Sequence, residues 1–176
     1  MYDQAYIEYL AHFHSTRDYF ECHEILEDRW KEEGTLDKDS IWVGFIQLAV
    51  TLYHHRRGNF EGAKRTLKKS RQALQQHDHE LNHTFSLDSS KLMALLNEIK
   101  GNLEEQKDYQ SVQLPIVDPT LLTLVTDECT KLGATFGAVS DFTDRLIIDR
   151  HRERDRSEVI EERERQLNLR KGLRQS

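Results

Sequence analysis

The sequence predicts an all-α protein, and three observations support this prediction. Apolar residues recur at spacings of three and four along most of the chain, which is the period of an amphipathic helix. No run of residues shows the period-two alternation of a half-buried strand. The 176 residues include only two prolines and eight glycines, too few for a turn-rich β-sandwich. We therefore expect a compact array of about six to seven antiparallel helices joined by short loops.

Three helices are predicted in the first third of the chain. Aromatic and apolar residues at helical spacing indicate a first helix over about residues 3–14. Asp18 is a suitable N-cap for a second helix over about residues 19–31. A third helix, about residues 39–57, is apolar on nearly all sides, so we expect it to lie at the centre of the array.

A fourth helix follows a two-residue break. Gly58 suits the left-handed position after a helix, and Asn59 suits the N-cap of a helix over about residues 60–76. The outer face of this helix is basic, and it carries Lys64, Arg65, Lys68, Lys69 and Arg71. From the end of this helix through Phe85 the polar sequence predicts a loop.

The second half of the chain contains two further predicted helices and a charged tail. Asp88 and Asp118 are the expected N-caps of a fifth and a sixth helix, with an extended connector at 114–117 between them. From residue 140 onward the helical pattern becomes steadily more polar. We therefore predict a single helical domain over residues 1–139 and a charged helical tail over 140–176.

Composition excludes several classes of protein. The net charge is -6, and charged residues make up 32% of the chain, more than in an average globular domain. Cys22 and Cys129 are far apart, so they support neither a disulfide framework nor a cysteine-rich zinc site. The sequence has neither a signal peptide nor an apolar run long enough to span a membrane, so we expect a cytoplasmic protein.

The second predicted helix carries an unusual polar pair. His23 and Glu27 share a helix face with Phe20 and Trp30, by the spacing of three and four residues. Because the two large aromatic rings favour burial, we expect the histidine and the glutamate to be carried toward the core with them. A buried polar pair must find partners, bind a ligand or become neutral.

The central helix supplies matching polar residues. Gln47 and His54 share one of its faces, and Gln47 stands in an otherwise apolar run. If the second and third helices pack antiparallel, these two side chains converge with His23 and Glu27 in one polar pocket. A structural hydrogen-bond network, a metal or small-molecule site, and acid–base catalysis are all compatible with such a pocket.

The spacing of His23 and Glu27 also permits a divalent cation. A histidine and a carboxylate four residues apart can share an ion, as in the HExxH zinc motif. Here the motif is HExxE, with Glu24 about 100° around the helix from His23, so the second histidine is missing. His54 or His55 would have to complete such a site.

Two segments carry a family resemblance. YFECHEILEDRW and the later VGFIQLAVTLYHHRRGNFEGA resemble the domain-of-unknown-function family DUF309 over about residues 5–75. The matching residues are His23, Glu24, Glu27, Trp30, Gly44, Phe45, Ile46, Gln47, Gly58, Asn59, Gly62 and Ala63. The resemblance implies a small all-helical array in which His23, Glu27, Trp30, Gln47 and Asn59 are motif positions. It implies no established activity.

Three functional hypotheses follow. The first is a non-enzymatic binding or structural module whose His/Glu/Gln pocket takes an unknown protein or small molecule. The second is a metal-dependent hydrolase-like enzyme that holds a divalent metal with His23, Glu27 and His54. The third is an RNA- or protein-associated adaptor that uses the basic face of the fourth helix and the tail. Nucleic acid is the less favoured partner because the tail has no aromatic residue after Phe142 for base stacking. The sequence is also compatible with a homodimer.

Overall fold

Helices make up the body of the protein in the computed structural model, which describes residues 1–153 and positions 161, 164, 165 and 168. The described helices of six residues or more are α1 (Gln4–Ala11), α2 (Tyr19–Glu32), α3 (Ile41–Arg56), α4 (Phe60–Gln75), α5 (Asp78–His83), α6 (Ser89–Glu104) and α7 (Pro119–Lys131). Two short helices follow, α8 (Arg145–Ile148) and α9 (Arg150–Glu153). These residues contain no strand, and the extended connector contributes an isolated bridge between Leu87 and Ile116. The all-α prediction is confirmed.

The predicted helix starts are confirmed by their capping hydrogen bonds. Asp18 accepts a hydrogen bond from the backbone N–H of Glu21 at 3.1 Å, and Asn59 accepts one from Gly62 at 2.9 Å. Asp88 and Asp118 cap α6 and α7 in the same way. Each cap satisfies a backbone donor that the first turn of a helix leaves without a partner.

The end of the first predicted helix differs from the expectation. After Ala11 the chain widens into a π-helical turn over His12–Thr16 and then reverses at Arg17, which has a left-handed φ of 56°. The side chains of His14 and Ser15 hydrogen-bond to carbonyl oxygens four residues back, at 2.8 and 2.6 Å. These bonds compete with the ordinary backbone ladder, which accounts for the widening.

The prediction of a loop from the end of α4 through Phe85 is wrong in part, because residues 78–83 form the helix α5. The residues of α5 are mostly polar, and its one buried residue, Leu81, anchors the helix to the core. The His77 imidazole also lies 3.0 Å from the Glu80 carboxylate across the first turn. One buried residue carries no periodic signal, so the surrounding polar residues hide the helix in the sequence.

α3 lies at the centre of the core, as predicted. Twelve of its sixteen residues are buried. Its closest neighbour is α4, since a Cβ atom added to Gly44 would lie 2.6 Å from the Leu74 side chain. The Ser70 hydroxyl donates a hydrogen bond to the Gly44 carbonyl at 2.8 Å, which ties the two helices together.

The chain after residue 138 folds back over α2 and α3. Arg150 forms ion pairs with Asp18 and with Glu21, the latter at 3.1 Å. Arg57 pairs with Asp149 at 3.1 Å. The predicted boundary at residue 139 therefore falls within a segment that contacts the body, while most of the predicted tail lies outside the described residues. Among the described helices, none has the length and apolar character needed to cross a membrane.

Candidate ligand groove

A groove lies where α2, α3 and α4 meet, and we call it the α2–α4 groove. Its volume is about 400 Å3. α2 contributes His23, Glu27 and Trp30, α3 contributes Gln47, and α4 contributes Lys69. The other lining residues are Lys38, Asp39, Val43, Ile46, Gln72 and Ala73.

The floor of the α2–α4 groove is apolar. Val43, Ile46 and Ala73 line it, and the latter two are buried. The indole of Trp30 forms part of the wall and donates a hydrogen bond to the carbonyl of Asp37 at 2.9 Å. This bond ties the ring to the loop between α2 and α3.

The polar wall is centred on His23. Its Nδ1 atom lies 3.2 Å from Oε1 of Glu24, and its Nε2 atom lies 3.5 Å from Oε2 of Glu27. The other oxygen of Glu27 lies 3.2 Å from the ammonium group of Lys31. The His23 and Glu27 side chains are 28% and 33% exposed, so a molecule entering from solvent can reach both.

The degree of burial corrects the sequence prediction. The buried face of α2 is formed by Tyr19, Cys22 and Leu26, all fully covered. The neighbouring face with His23 and Glu27 is half-buried, because its aromatic residues are themselves only partly buried. The polar pair therefore lines a wall of the groove and is not enclosed in the core.

Two polar groups of the α2–α4 groove have unused bonding capacity. The side-chain amide of Gln47 makes no hydrogen bond within the described part of the chain, although its backbone carbonyl accepts one from Thr51 at 2.8 Å. The ammonium group of Lys69 likewise has no acidic partner among the described residues. Both groups are available to a ligand.

His54 and Asn59 lie outside this groove. Nδ1 of His54 is 3.2 Å from Nδ2 of Asn59, whose oxygen caps α4. Burial lowers the pKa of His54, and the nearby Arg57 and Arg65 add to the effect. Of the predicted site residues, the structure brings together His23, Glu24, Glu27, Trp30 and Gln47, and it leaves these two apart.

The residues that could hold a cation differ from the predicted set. One ligand atom each from His23, Glu24 and Glu27 lies within 4.8 Å of the others. His54 is not part of this cluster, which contains Glu24 instead. Glu24 lies beside Nδ1 and Glu27 beside Nε2 of the ring, so an ion on one nitrogen has one of the two carboxylates next to it. The sequence contained this signal in the HExxE motif, but the 100° angle between adjacent helix positions hid it. Long side chains can bend across that angle.

A buried cationic region was missed by the sequence analysis. Arg17 is 1% exposed and Arg56 is 7% exposed. Arg17 donates hydrogen bonds to the carbonyls of Ala138 and Val112 at 2.8 and 2.5 Å. We call these two residues the buried arginine pair. Neither forms a salt bridge within the described part of the chain.

The second arginine of the pair is held by three kinds of contact. Arg56 donates to the carbonyl of Arg17 at 2.6 Å and to the hydroxyl of Ser140 at 3.0 Å. Its guanidinium carbon lies 4.8 Å from the ring centre of Tyr19, a cation–π contact. Only the fold brings these acceptors together, so no local pattern in the sequence indicates them.

The fold and the groove define an all-helical protein with a half-open polar cavity between three helices. The chain matches the DUF309 family model, described as a domain of unknown function, over residues 6–66. It is 47% identical over 174 residues to the uncharacterized protein YpuF of Bacillus subtilis (strain 168), with 99% of each chain covered. The chain therefore belongs to the DUF309 family. No solved structure matches it.

Proposed function

We propose that this protein is a binding module that holds a small molecule in the α2–α4 groove. The observation that carries the proposal is the shared position of four residues of the family motif. His23, Glu27, Trp30 and Gln47 all line one cavity of about 400 Å3. That volume lies within the roughly 300–1,000 Å3 of small-molecule sites, which combine an apolar lining with a few polar groups.

The lining indicates the chemistry of the ligand. Val43 and Ile46 offer an apolar floor, so the ligand has an apolar part. The Gln47 amide and the Lys69 ammonium can donate hydrogen bonds to an acceptor or anionic group. Glu27 on the opposite helix can accept a hydrogen bond from a donor group. A small amphipathic compound with a carboxylate and a donor group matches this arrangement.

A ligand screen tests the proposal. A library of small amphipathic acids, screened against the full chain by ligand-observed NMR, is expected to yield compounds that bind wild-type protein. Binding should fall for Gln47→Ala and stay unchanged for Gln75→Ala, an exposed glutamine of α4. If no compound binds, or if compounds bind equally well to Gln47→Ala, the groove is not a ligand site.

A second candidate function is divalent cation binding, and the cluster of His23, Glu24 and Glu27 favours it. One imidazole nitrogen and a carboxylate oxygen of Glu27 would be ligands. Glu24 would accept a hydrogen bond from the other nitrogen and hold the ring in place, as carboxylates do behind metal-bound histidines. Such an ion would supply the Lewis acid of the hydrolase-like alternative.

Metal titration distinguishes this candidate from the first. Isothermal titration of the metal-free full chain with Zn2+ or Mn2+ should give one site that is lost in His23→Ala. The control is His83→Ala on α5, because His79 and His83 stack at 4.2 Å and could bind Zn2+ weakly. A titration that is identical in wild type and His23→Ala contradicts cation binding in the groove.

The adaptor hypothesis and a cytoplasmic location remain predictions. The adaptor role depends on the tail, most of which lies outside the described residues. Truncation after Asp144 and comparison of captured partners would test it, because unchanged capture removes the tail from the hypothesis. Cell fractionation would test the location, and size-exclusion chromatography with light scattering would test the homodimer.

A further inference from the structure

A second cavity lies on the other side of α4, where this helix packs against α6, and we call it the α4–α6 cleft. Its volume is about 330 Å3. Leu67 and Leu103, both buried, form its floor. Its rim, as far as the chain is described, is basic, with Lys64, Lys68 and Arg71 from α4 and Lys100 from α6, against one acidic residue, Glu104.

Local ion pairs account for only half of these cations. Lys64 pairs with Glu61 at 2.9 Å, and Lys100 pairs with Glu104 at 3.6 Å. Lys68 and Arg71 have no acidic partner within the described part of the chain. The α4–α6 cleft therefore holds two positive charges that the described protein does not balance.

Arg71 supplies an independent observation. Its Nε atom is shielded from solvent, yet it has no hydrogen-bond acceptor among the described residues. Shielded donors in proteins nearly always have a partner, and a guanidinium N–H strongly favours an oxygen acceptor. Because Nε itself is out of reach of solvent, a molecule in the α4–α6 cleft would contact this guanidinium group through its two terminal nitrogens.

We propose that the α4–α6 cleft binds the phosphate group of a small phosphorylated compound. The planar guanidinium group of Arg71 matches the spacing of two phosphate oxygens. Together with Lys68 it provides two positive charges, which balance a phosphomonoester of about -1.5 to -2 at pH 7. Leu67 and Leu103 would pack against the carbon atoms of the compound.

The shape of the α4–α6 cleft favours a small ligand over nucleic acid. None of its described lining residues is aromatic, so they offer no surface on which the bases of a single strand could stack. Its cations surround one cavity of small-molecule size. The site is also independent of the function proposed above, because the α2–α4 groove is lined by other residues of α4, such as Lys69.

An NMR titration tests the phosphate site in the full chain. Glycerol 3-phosphate, added at constant ionic strength, is expected to shift the amide signals of Lys68, Arg71 and Lys100 in a saturable way. Plain glycerol should leave these signals unchanged. Arg71→Gln should weaken binding by at least about tenfold, the effect of losing a charge-assisted hydrogen bond.

Two further variants separate a specific site from general attraction between charges. Arg65→Gln removes the same charge from an exposed position of α4 outside the α4–α6 cleft, and it should leave the affinity unchanged. Arg71→Lys keeps the charge but loses the planar fork, so it should bind with intermediate affinity. The amide spectrum of each variant confirms that it is folded.

Several outcomes would overturn the proposal. One is equal affinity of wild type and Arg71→Gln for glycerol 3-phosphate. Another is an equal loss of affinity in Arg65→Gln and Arg71→Gln, which indicates a diffuse basic surface. Tighter binding of a short single-stranded RNA, with shifts spread over the whole face of α4, would assign the surface to nucleic acid instead.

Discussion

The buried arginine pair and the α2–α4 groove are both polar regions built against the same helices, but they satisfy their polar groups differently. In the arginine pair, protein carbonyls and a serine hydroxyl accept most of the guanidinium hydrogen bonds, and a tyrosine ring covers one face. Nε of Arg56 has no acceptor among the described residues. In the groove, Gln47 has no hydrogen-bond partner for its amide within the described chain, and His23 and Glu27 remain open to solvent.

This difference separates a structural role from a binding role. A buried polar group that the protein supplies with partners contributes to stability, and its removal leaves those partners unsatisfied. A half-exposed group beside a cavity contributes little to stability, because water can replace its contacts. Substitutions in the two regions should therefore affect different properties.

The largest expected effect is the loss of stability in Arg56→Leu. This change leaves the Arg17 carbonyl and the Ser140 hydroxyl without their donor and removes the contact with Tyr19. Together these losses should cost about 4 kcal/mol of the free energy of unfolding. Urea unfolding measures this, with the exposed Arg65→Leu as a control expected to change stability by less than about 0.5 kcal/mol. A small loss in Arg56→Leu would contradict the structural role of the pair.

The second effect is a pH dependence that belongs to His14. Its pKa is lowered to about 4, first because burial disfavours the charged ring and also because Arg17 is near. The ring is held neutral, since its Nε2 atom accepts a hydrogen bond from the Leu114 backbone N–H at 3.0 Å. In the unfolded chain the ring binds a proton near pH 6.5. The contribution of neutral His14 to the free energy of unfolding is therefore fully present above that pH and is lost as the pH falls toward 4.

Chemical unfolding at pH 7 and pH 4 measures this dependence. From pH 7 to pH 4 the free energy of unfolding of wild type should fall by about 3 kcal/mol more than that of His14→Asn. The subtraction removes the contribution of the other titrating groups, which both proteins share. Equal losses in the two proteins would show that His14 does not titrate in this way.

The third effect tests the packing that supports the wall of the groove. Gly44→Ala places a Cβ atom 2.6 Å from the Leu74 side chain, so this buried side chain or its helix must shift. The overpacking exceeds the gain in helix propensity and should leave a net loss of about 1–2 kcal/mol. Gly101→Ala on α6 is the control, because no atom of the described residues lies within 4 Å of its added Cβ. The free energy of unfolding of this control, measured by thermal unfolding, should rise by about 1 kcal/mol. A stabilised Gly44→Ala would refute this close packing.

The smallest effect on stability is expected for His23→Ala. The side chain is 28% exposed and its contacts are to glutamates that water can also solvate. Its free energy of unfolding should change by less than about 1 kcal/mol, while ligand or metal binding in the groove falls. A loss as large as that of Arg56→Leu would mean that His23 is structural and would remove the contrast between the two regions.

The sequence predicted the fold well because helix signals are local. Asp18 and Asn59 cap helices where the pattern placed them, and the apolar run of α3 marked the centre of the core. α5 was missed because a single buried residue, Leu81, has no period. The π-helical turn after Ala11 was missed because it depends on side-chain hydrogen bonds to the backbone.

The site was less predictable because it depends on distant packing. Spacing placed His23 and Glu27 on one face, but it could not tell a half-open wall from a buried stripe. His54 shares a helix face with Gln47, but it lies about two turns further along α3, where its ring faces Asn59. The acceptors of Arg17 lie 95 and 121 residues further along the chain, where sequence periodicity has no reach.

These long separations have a consequence for the newly synthesised chain. A ribosome adds residues from the N-terminus, so both arginines exist well before Val112, Ala138 and Ser140 have been joined. Until then, the Arg17 guanidinium lacks both of its carbonyl acceptors and Arg56 lacks its bond to Ser140, while the bond from Arg56 to the Arg17 carbonyl can already form. The N-terminal helices can assemble early, but the nascent protein acquires its full stability only when the last third of the chain has been released.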